Sequence, residues 1–296
     1  MTHPLLELAR TRTVLFDGAM GTMLMARGLA VGMAPEIWNA ERPEVVREIH
    51  ASYFEAGADV VTTNSFGGTP LNLAAHGLEG QAYELNYAAA RLAREAAPAG
   101  RFVAGSIGPT GKFLKPQGNC DERDLEAAFA DQVRGLAAGG VDVLIVETQY
   151  DLREALAAVR GARSVSELPV FVTMTFNARP RGFFTLMGDT VARSAAALEQ
   201  AGAAAFGANC TLASDQMAAC VRACREATGL PLIAQANAGQ PVVEADGRVT
   251  YAQTREDYVR YVPEIVQAGA SFIGGCCGTD PSFTRAMAGI IRKEAS

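Results

Sequence analysis

The chain has 296 residues, of which 49% are hydrophobic and 20% charged, enough apolar material for a sizeable core and too much for a disordered or collagen-like chain. Its 26 basic and 32 acidic residues leave a net charge of −6, spread along the sequence, which disfavours a nucleic-acid partner because a phosphate backbone is repelled on average. Met1 to Thr13 holds no apolar run of the ~7–15 residues a secretory signal needs, and no later stretch reaches the ~18 apolar residues of a membrane span. The expectation is a cytoplasmic protein with no membrane partner.

Length alone fits two domains of about 150 residues or one α/β barrel of about 250, and the order of elements decides between them. Eight short β-branched apolar runs recur: Thr13–Phe16, Asp59–Thr63, Phe102–Gly105, Val141–Val146, Val170–Met174, Ala204–Ala208, Leu232–Gln235 and Ser271–Gly274. Each is followed by an Ala-rich amphipathic stretch, the pattern of repeated βα units. Four of the runs follow a glycine-bearing helix end, at Gly57, Gly140, Gly202 and Gly269, where glycine takes the left-handed conformation that stops a helix. The dinucleotide fingerprint GxGxxG is missing, which weakens the rival doubly wound sheet. The fold class expected is α/β, a single (β/α)8 TIM barrel over residues 1–296.

In such a barrel the active site forms at the C-terminal ends of the strands, so the residues just past each run carry the chemistry. Three of the six cysteines fall there: Cys210 after the sixth run, and Cys276 and Cys277 after the eighth. Adjacent strand residues face opposite ways, so the vicinal pair reaches one metal only if the chain leaves β geometry between them, which Gly274, Gly275 and Gly278 permit. Three thiolates with one open position describe a reactive zinc site, because structural zinc takes four protein ligands; the alternative is three small buried hydrophobes. With only three histidines in the chain, a histidine-rich metal site is nearly excluded. Cys220 and Cys224 share one helix face and read as core packing rather than a metal clip. Cys120 has no cysteine or histidine neighbour in sequence and is assigned nothing.

A three-thiolate zinc is electron-rich, a poor Lewis acid for hydrolysis but able to hold an incoming thiol deprotonated, whereas a free thiol with a pKa near ~8.5 stays mostly protonated. The reaction implied is S-alkylation of a thiol. Glu147, ending a buried run, places a partly desolvated carboxylate at the mouth for a substrate ammonium, or for a rim salt bridge, and Asp17 is placed likewise. Backbone N–H groups of Gly18-Ala19-Met20-Gly21 could receive a carboxylate, or the segment is a plain tight turn. Together these groups describe a pocket for a thiol-bearing amino acid.

Asp17-Gly18-Ala19-Met20-Gly21-Thr22, Thr63 to Thr69 (TNSFGGT), Gly105 to Gly111 (GSIGPTG), Glu147-Thr148, Gly207-Ala208-Asn209-Cys210, Asn237-Ala238-Gly239 and Gly274 to Thr279 (GGCCGT) resemble, in order, the homocysteine S-methyltransferases. That family includes the homocysteine-binding module of cobalamin-dependent methionine synthase and the betaine-homocysteine methyltransferases. The resemblance runs from about Val14 to Ile291. It implies a barrel whose zinc is held by Cys210, Cys276 and Cys277, with Asn237 as a displaceable fourth ligand until the homocysteine sulfur takes its place. It implies that Asp17, Ala19, Met20, Gly21 and Glu147 bind the amino-acid end of homocysteine, with Asn64 and Ser65 at the same pocket. The implied reaction is in-line attack of the zinc-held thiolate on an activated methyl group, giving methionine. The donor is a methylcobalamin/methylfolate system, betaine or a sulfonium compound. Asn237 to Pro241 (NAGQP) leans toward a methionine synthase-type acceptor module or subunit, and Glu36 to Asn39 (EIWN) with Phe66 to Thr69 (FGGT) toward bacterial stand-alone members, some of them betaine-dependent. Trp38 either stacks on a cationic donor or packs at the mouth. A reading of another class is a zinc- and homocysteine-binding module active only when a corrinoid-carrying protein docks. A last rival is a barrel enzyme of another kind, with redox-active or inert cysteines.

Overall fold

All eight expected runs form strands of one parallel sheet in the computed structural model, which describes residues 3–243 and 249–294. Residues 1, 2, 244–248, 295 and 296 of the expected domain lie outside the described residues. The strands are β1 (Val14–Leu15), β2 (Val60–Thr62), β3 (Phe102–Ile107), β4 (Val143–Gln149), β5 (Val170–Met174), β8 (Ala205–Ala213), β9 (Leu232–Asn237) and β12 (Ala270–Gly275), with two hairpins, β6 (Asn177–Arg179) with β7 (Gly182–Phe184) and β10 (Pro241–Val243) with β11 (Val249–Tyr251). The sheet order β1-β12-β9-β8-β5-β4-β3-β2 follows the chain around a ring. Its two ends meet where Asp59 N–H donates to Leu15 O at 2.7 Å and Asp17 N–H to Val60 O at 3.0 Å, so the sheet curls into an α/β barrel.

The helices outside it are α1 (Pro4–Thr11), α2 (Met20–Ala26), α3 (Trp38–Glu41), α4 (Pro43–Glu55), α5 (Pro70–Leu73), α6 (Ala82–Ala96), α7 (Glu122–Gly139), α8 (Leu152–Val165), α9 (Val191–Gln200), α10 (Ser214–Ala227), α11 (Arg255–Val259), α12 (Val262–Gln267) and α13 (Pro281–Glu294). Gly57, Gly140, Gly202 and Gly269 all have positive φ, 94° to 107°, as expected of glycines that end a helix before a strand. Among the described residues no helix is long and apolar enough to cross a membrane.

Strand residues divide by parity. Val14, Phe16, Val60, Ala104, Val143, Ile145, Phe171, Ala205, Ile233 and Phe272 form one buried cluster inside the barrel. Their alternates Leu15, Val61, Val103, Leu144, Val172, Phe206, Leu232 and Ile273 pack outward under the helices, the period-2 signature of a strand buried on both faces. Leu5 of α1 joins the inner cluster, so this helix, which no strand run foreshadows, stoppers the bottom of the barrel. Pro4 at its first position and His3, whose Nδ1 accepts from Leu5 N–H at 3.2 Å, start it. The hairpins were not foreshadowed either: β6 is Asn-Ala-Arg and largely exposed, so no apolar alternation marks it.

Next to β2, Asp59 ties the closure together. Its buried carboxylate accepts from Arg12 at 2.7 and 2.9 Å, from Leu15 N–H at 3.0 Å and from Arg101. Burial alone would raise this carboxyl, but the hydrogen bonds from Arg12 and Leu15 and the charges of Arg12 and Arg101 hold it below the usual range. Its contribution is therefore full above the unfolded value of about 3.9 and is lost as pH falls through the lower folded value. Asp59→Ala should cost about 2–4 kcal/mol in a urea melt at pH 7, because Leu15 N–H loses its buried partner while the arginines, about one-third exposed, partly rehydrate.

Candidate active site

Continuing the inward parity upward from the inner cluster gives Thr62, Ser106, Glu147, Asn209, Gln235 and Cys276 as the residues that should face the barrel mouth. All but Asn209 line a cavity of about 550 Å³ there, which also includes Ala19, Met20, Gly21, Asn64, Ser65, Cys210 and Cys277. Asn209 lies just behind the wall, 1% exposed.

Cys210 and Cys277 are on the wrong parity, and the backbone corrects each differently. Strand β12 ends at Gly275, so Cys276 and Cys277 stand in the turn that follows. There Thr279 N–H and Oγ1–H both donate to Cys276 O, at 3.2 and 2.7 Å. Gly278 has φ +81°, and a Cβ on it would strike the Tyr251 ring at 2.3 Å, so only glycine fits. Cys276 N–H donates to Ala236 O at 2.8 Å and Ala238 N–H to Cys277 O at 3.0 Å, pinning the pair against β9. Cys210 is itself left-handed, φ 59°, within a register shift between Asn209 and Ala213, which swings its side chain inward. The departure from β geometry expected at Cys276–Cys277 is observed.

The three sulfurs lie within 4.8 Å of one another, compatible with the roughly 3.8 Å spacing that four tetrahedral bonds of about 2.3 Å impose. They are the one group of three or more metal-ligating side chains among the described residues that could hold an ion. Hydrogen bonds from Cys276 and Cys277 pull the Cys210 thiol down to about 3, and donating to Cys210 pushes the Cys276 thiol up and the Cys277 thiol up to about 11. Asn237 hydrogen-bonds Cys210, and its buried Oδ1 has no partner among the described residues. Three soft donors plus one orphaned amide oxygen make a set that fits a four-coordinate cation.

Glu147 lies behind the sulfurs. Burial pushes its carboxyl up to about 7 against a hydrogen bond from Ser106 Oγ–H, with Cys210 raising it further. Asp17 is also buried and raised, first by burial, but its carboxylate accepts from Thr62 N–H at 2.7 Å and Thr62 Oγ1–H at 3.2 Å, and it is absent from the cavity lining. It shares the outward parity of Leu15, so it turns between β1 and β2 while the following Gly18 to Gly21 faces the cavity. No side chain caps the first turn of α2, leaving its leading N–H groups without intrahelical partners.

Asn64 and Ser65 line the cavity but spend their side chains on the frame. Asn64 Nδ2–H donates to Pro35 O at 2.8 Å and Asn39 Oδ1 at 3.0 Å, and Ser65 Oγ–H to Ser106 O at 2.8 Å. Trp38 is buried under the Arg42 guanidinium, 4.5 Å from its ring, and outside the cavity, so the packing alternative describes it. Cys220 and Cys224 are fully buried in the outer core, also as packing. Sequence reasoning passed over Ser106, Gln235 and Tyr251; counting by two from Ala104 and Ile233 finds the first two, whereas Tyr251 arrives on a hairpin with no sequence signal.

A family model described as homocysteine S-methyltransferase matches residues 14–291. The methionine synthase of Mycobacterium leprae (strain TN) is 33% identical over 306 residues, covering 98% of this chain and 25% of that protein. The methionine synthase of Mycobacterium tuberculosis (strain ATCC 25618 / H37Rv) is 32% identical over 304 residues, covering 97% and 25%. The chain thus spans about a quarter of the length of these curated relatives. Among solved structures, the metallated form of the Escherichia coli homocysteine methyltransferase MmuM superposes with a TM-score of 0.80 at 28% identity, covering 96% of this chain and 98% of that one. The carboxyl transferase domain of Rhizobium etli pyruvate carboxylase, at 16% identity and TM-score 0.54, shares the fold alone.

Proposed function

The chain belongs to the homocysteine S-methyltransferase family, and from that premise we propose that it methylates the sulfur of homocysteine as the acceptor module or subunit of a methionine synthase-type system. The observation that carries the proposal is the cluster of three sulfurs within 4.8 Å at a cavity backed by a half-buried carboxylate, Glu147. Cys210, Cys276 and Cys277 would hold zinc, with Asn237 Oδ1 in the fourth position until substrate arrives. Zinc bound in this way supplies one piece of chemistry, keeping an incoming thiol deprotonated and nucleophilic at neutral pH.

The rest falls to the chain's own groups. Glu147 receives the substrate ammonium, with Asp17 held by Thr62 outside the cavity as part of the frame; the leading N–H groups of α2, at Met20 and Gly21, receive its carboxylate, while Ala19, whose own N–H donates to Thr279 Oγ1 at 3.2 Å, lines the same wall; Asn64 and Ser65 hold the wall to which the substrate fits. Anchored at both ends, homocysteine presents its sulfur toward the open mouth, where a donor methyl group must approach in line. We assign residues 1–296 to one barrel domain devoted to this acceptor half, and the chain to the cytoplasm, whose reducing conditions keep such thiols free.

The donor proposed is the methyl-corrinoid of a methylcobalamin/methylfolate system, presented by a corrinoid-carrying protein; its support is the match of nearly the whole chain to a quarter of two methionine synthases. A second reading is favoured by the end-to-end match to the E. coli homocysteine methyltransferase: a stand-alone enzyme using betaine or a sulfonium donor. Purified chain is to be incubated with homocysteine and, separately, methylcobalamin, betaine or S-methylmethionine. Methionine should appear with methylcobalamin; methionine from betaine or S-methylmethionine alone would overturn the acceptor-module reading in favour of the second.

A further inference from the structure

The non-glycine residues with positive φ among the described residues are Thr148 at 61°, Cys210 at 59° and Thr211 at 46°, and the first two line the cavity. A β-branched residue rarely adopts this conformation, and it persists only where its surroundings enforce it. At Thr148 the enforcing group is the side chain of Asn209. Its Oδ1 accepts from Thr148 N–H, and its Nδ2–H donates to Thr148 Oγ1, both at 2.8 Å. The same amide reaches one further strand and the turn after β12: Oδ1 accepts from Thr173 Oγ1–H at 2.8 Å on β5, and Nδ2–H points to Cys276 Sγ at 3.8 Å.

An amide has two acceptor sites and two N–H donors, and all four are spent here. Asn209 thus joins the residue immediately after Glu147 to one of the three clustered sulfurs, across the places where both β4 and β8 break register, between Val146 and Gln149 and between Asn209 and Ala213.

We infer that Asn209 is a positioning residue that fixes the span between the Glu147 carboxylate and the sulfur cluster, and thereby the length of thiol amino acid the site accepts. This rests on the assignment of Glu147 to the substrate ammonium and of the sulfurs to the metal that takes its thiol. Cysteine, shorter by one methylene, cannot satisfy both anchors of a span set for homocysteine. A single methylene is worth roughly 10–200-fold in a fitted pocket.

The test uses the full chain loaded with Co2+ in place of zinc, whose thiolate charge-transfer absorption reports thiol binding without turnover. Homocysteine, cysteine and 4-mercaptobutanoate, which has the chain length of homocysteine and no amino group, are titrated. Wild type should prefer homocysteine over both by at least ~10-fold, and Asn209→Ala should lower homocysteine affinity to within ~3-fold of 4-mercaptobutanoate, whose own affinity changes little. Adding Thr148→Gly, which removes the cost of the left-handed conformation, should restore part of the loss; a merely structural role would not produce this rescue or this ligand dependence. Asn209→Asp, equal in size but without the two donors, carries the same comparison if the alanine variant does not fold. Equal loss for all three thiols, or unchanged selectivity in the variant, overturns the role of Asn209 alone. A wild-type protein that does not distinguish homocysteine from 4-mercaptobutanoate overturns the Glu147 assignment, and this inference with it.

Discussion

Cys276→Ala is expected to purify without bound zinc and to form no measurable methionine, whereas Cys220→Ala and Cys224→Ala retain both. Cys276 is the cysteine of the three that reaches the site on strand parity, and its thiol donates to Cys210 and hydrogen-bonds with Cys277. Removing it leaves two thiolates, too few for a stable four-coordinate centre open to one substrate ligand. Loss of an outer partner of a metal ligand already costs about 10–100-fold in affinity, and loss of the ligand itself should exceed that. Elemental analysis of the dialysed proteins measures the first expectation and a methionine assay the second. Were the cysteines inert core residues, metal content would be the same in all three variants.

The second large effect is expected at Glu147, whose carboxyl burial holds at about 7. Below pH 7 the group is neutral and offers an ammonium no charge, so the KM for homocysteine should rise about tenfold per pH unit as pH falls from 7 to 5. Glu147→Gln should flatten that dependence and set KM about 10²-fold above wild type at pH 8, the order of effect of removing one partner of a desolvated charge pair.

The sign for stability is opposite. In the substrate-free protein the folded state holds a proton on Glu147 that the unfolded chain, with an ordinary value near 4.5, releases earlier. Between pH 4.5 and about 7 the folded state therefore binds more protons, stability falls as pH rises, and the loss is complete above 7. Glu147→Gln removes that penalty. At pH 8 the variant should melt a few degrees higher than wild type, at about 2–4 °C per kcal/mol for a chain of this size, while binding homocysteine poorly. Calorimetry without substrate, set beside KM measurements, separates the two effects; a variant that melts lower and binds normally would show that Glu147 is a structural carboxyl.

What the sequence conveyed and what it withheld divide along physical lines. The eight strand runs were legible because a strand packed on both faces must be apolar throughout, and glycine at the preceding helix ends is required by a left-handed turn that other residues adopt at a cost. The convergence of Cys210, Cys276 and Cys277 was legible for a related reason: in this fold, strand ends share one mouth. The direction of Asp17 was not. Its position after β1 resembles that of Glu147 after the β4 run, but the two stand on opposite parity, and Asp17 turns to the N–H and hydroxyl of Thr62 while Glu147 faces the cavity. The amide of Asn209 was hidden as well, because its four partners lie on three other parts of the barrel and depend on a register that the sequence of any one strand does not contain. The hairpins escaped notice for want of an apolar pattern, and with them Tyr251, whose ring covers Gly278.

The central claim is that three cysteines hold zinc and leave its fourth position to the substrate sulfur. X-ray absorption at the zinc edge of the purified protein, before and after homocysteine is added, tests it most directly. The account predicts three sulfur ligands and one light ligand before addition, and four sulfur ligands after it. A spectrum with three sulfurs that homocysteine leaves unchanged would contradict it.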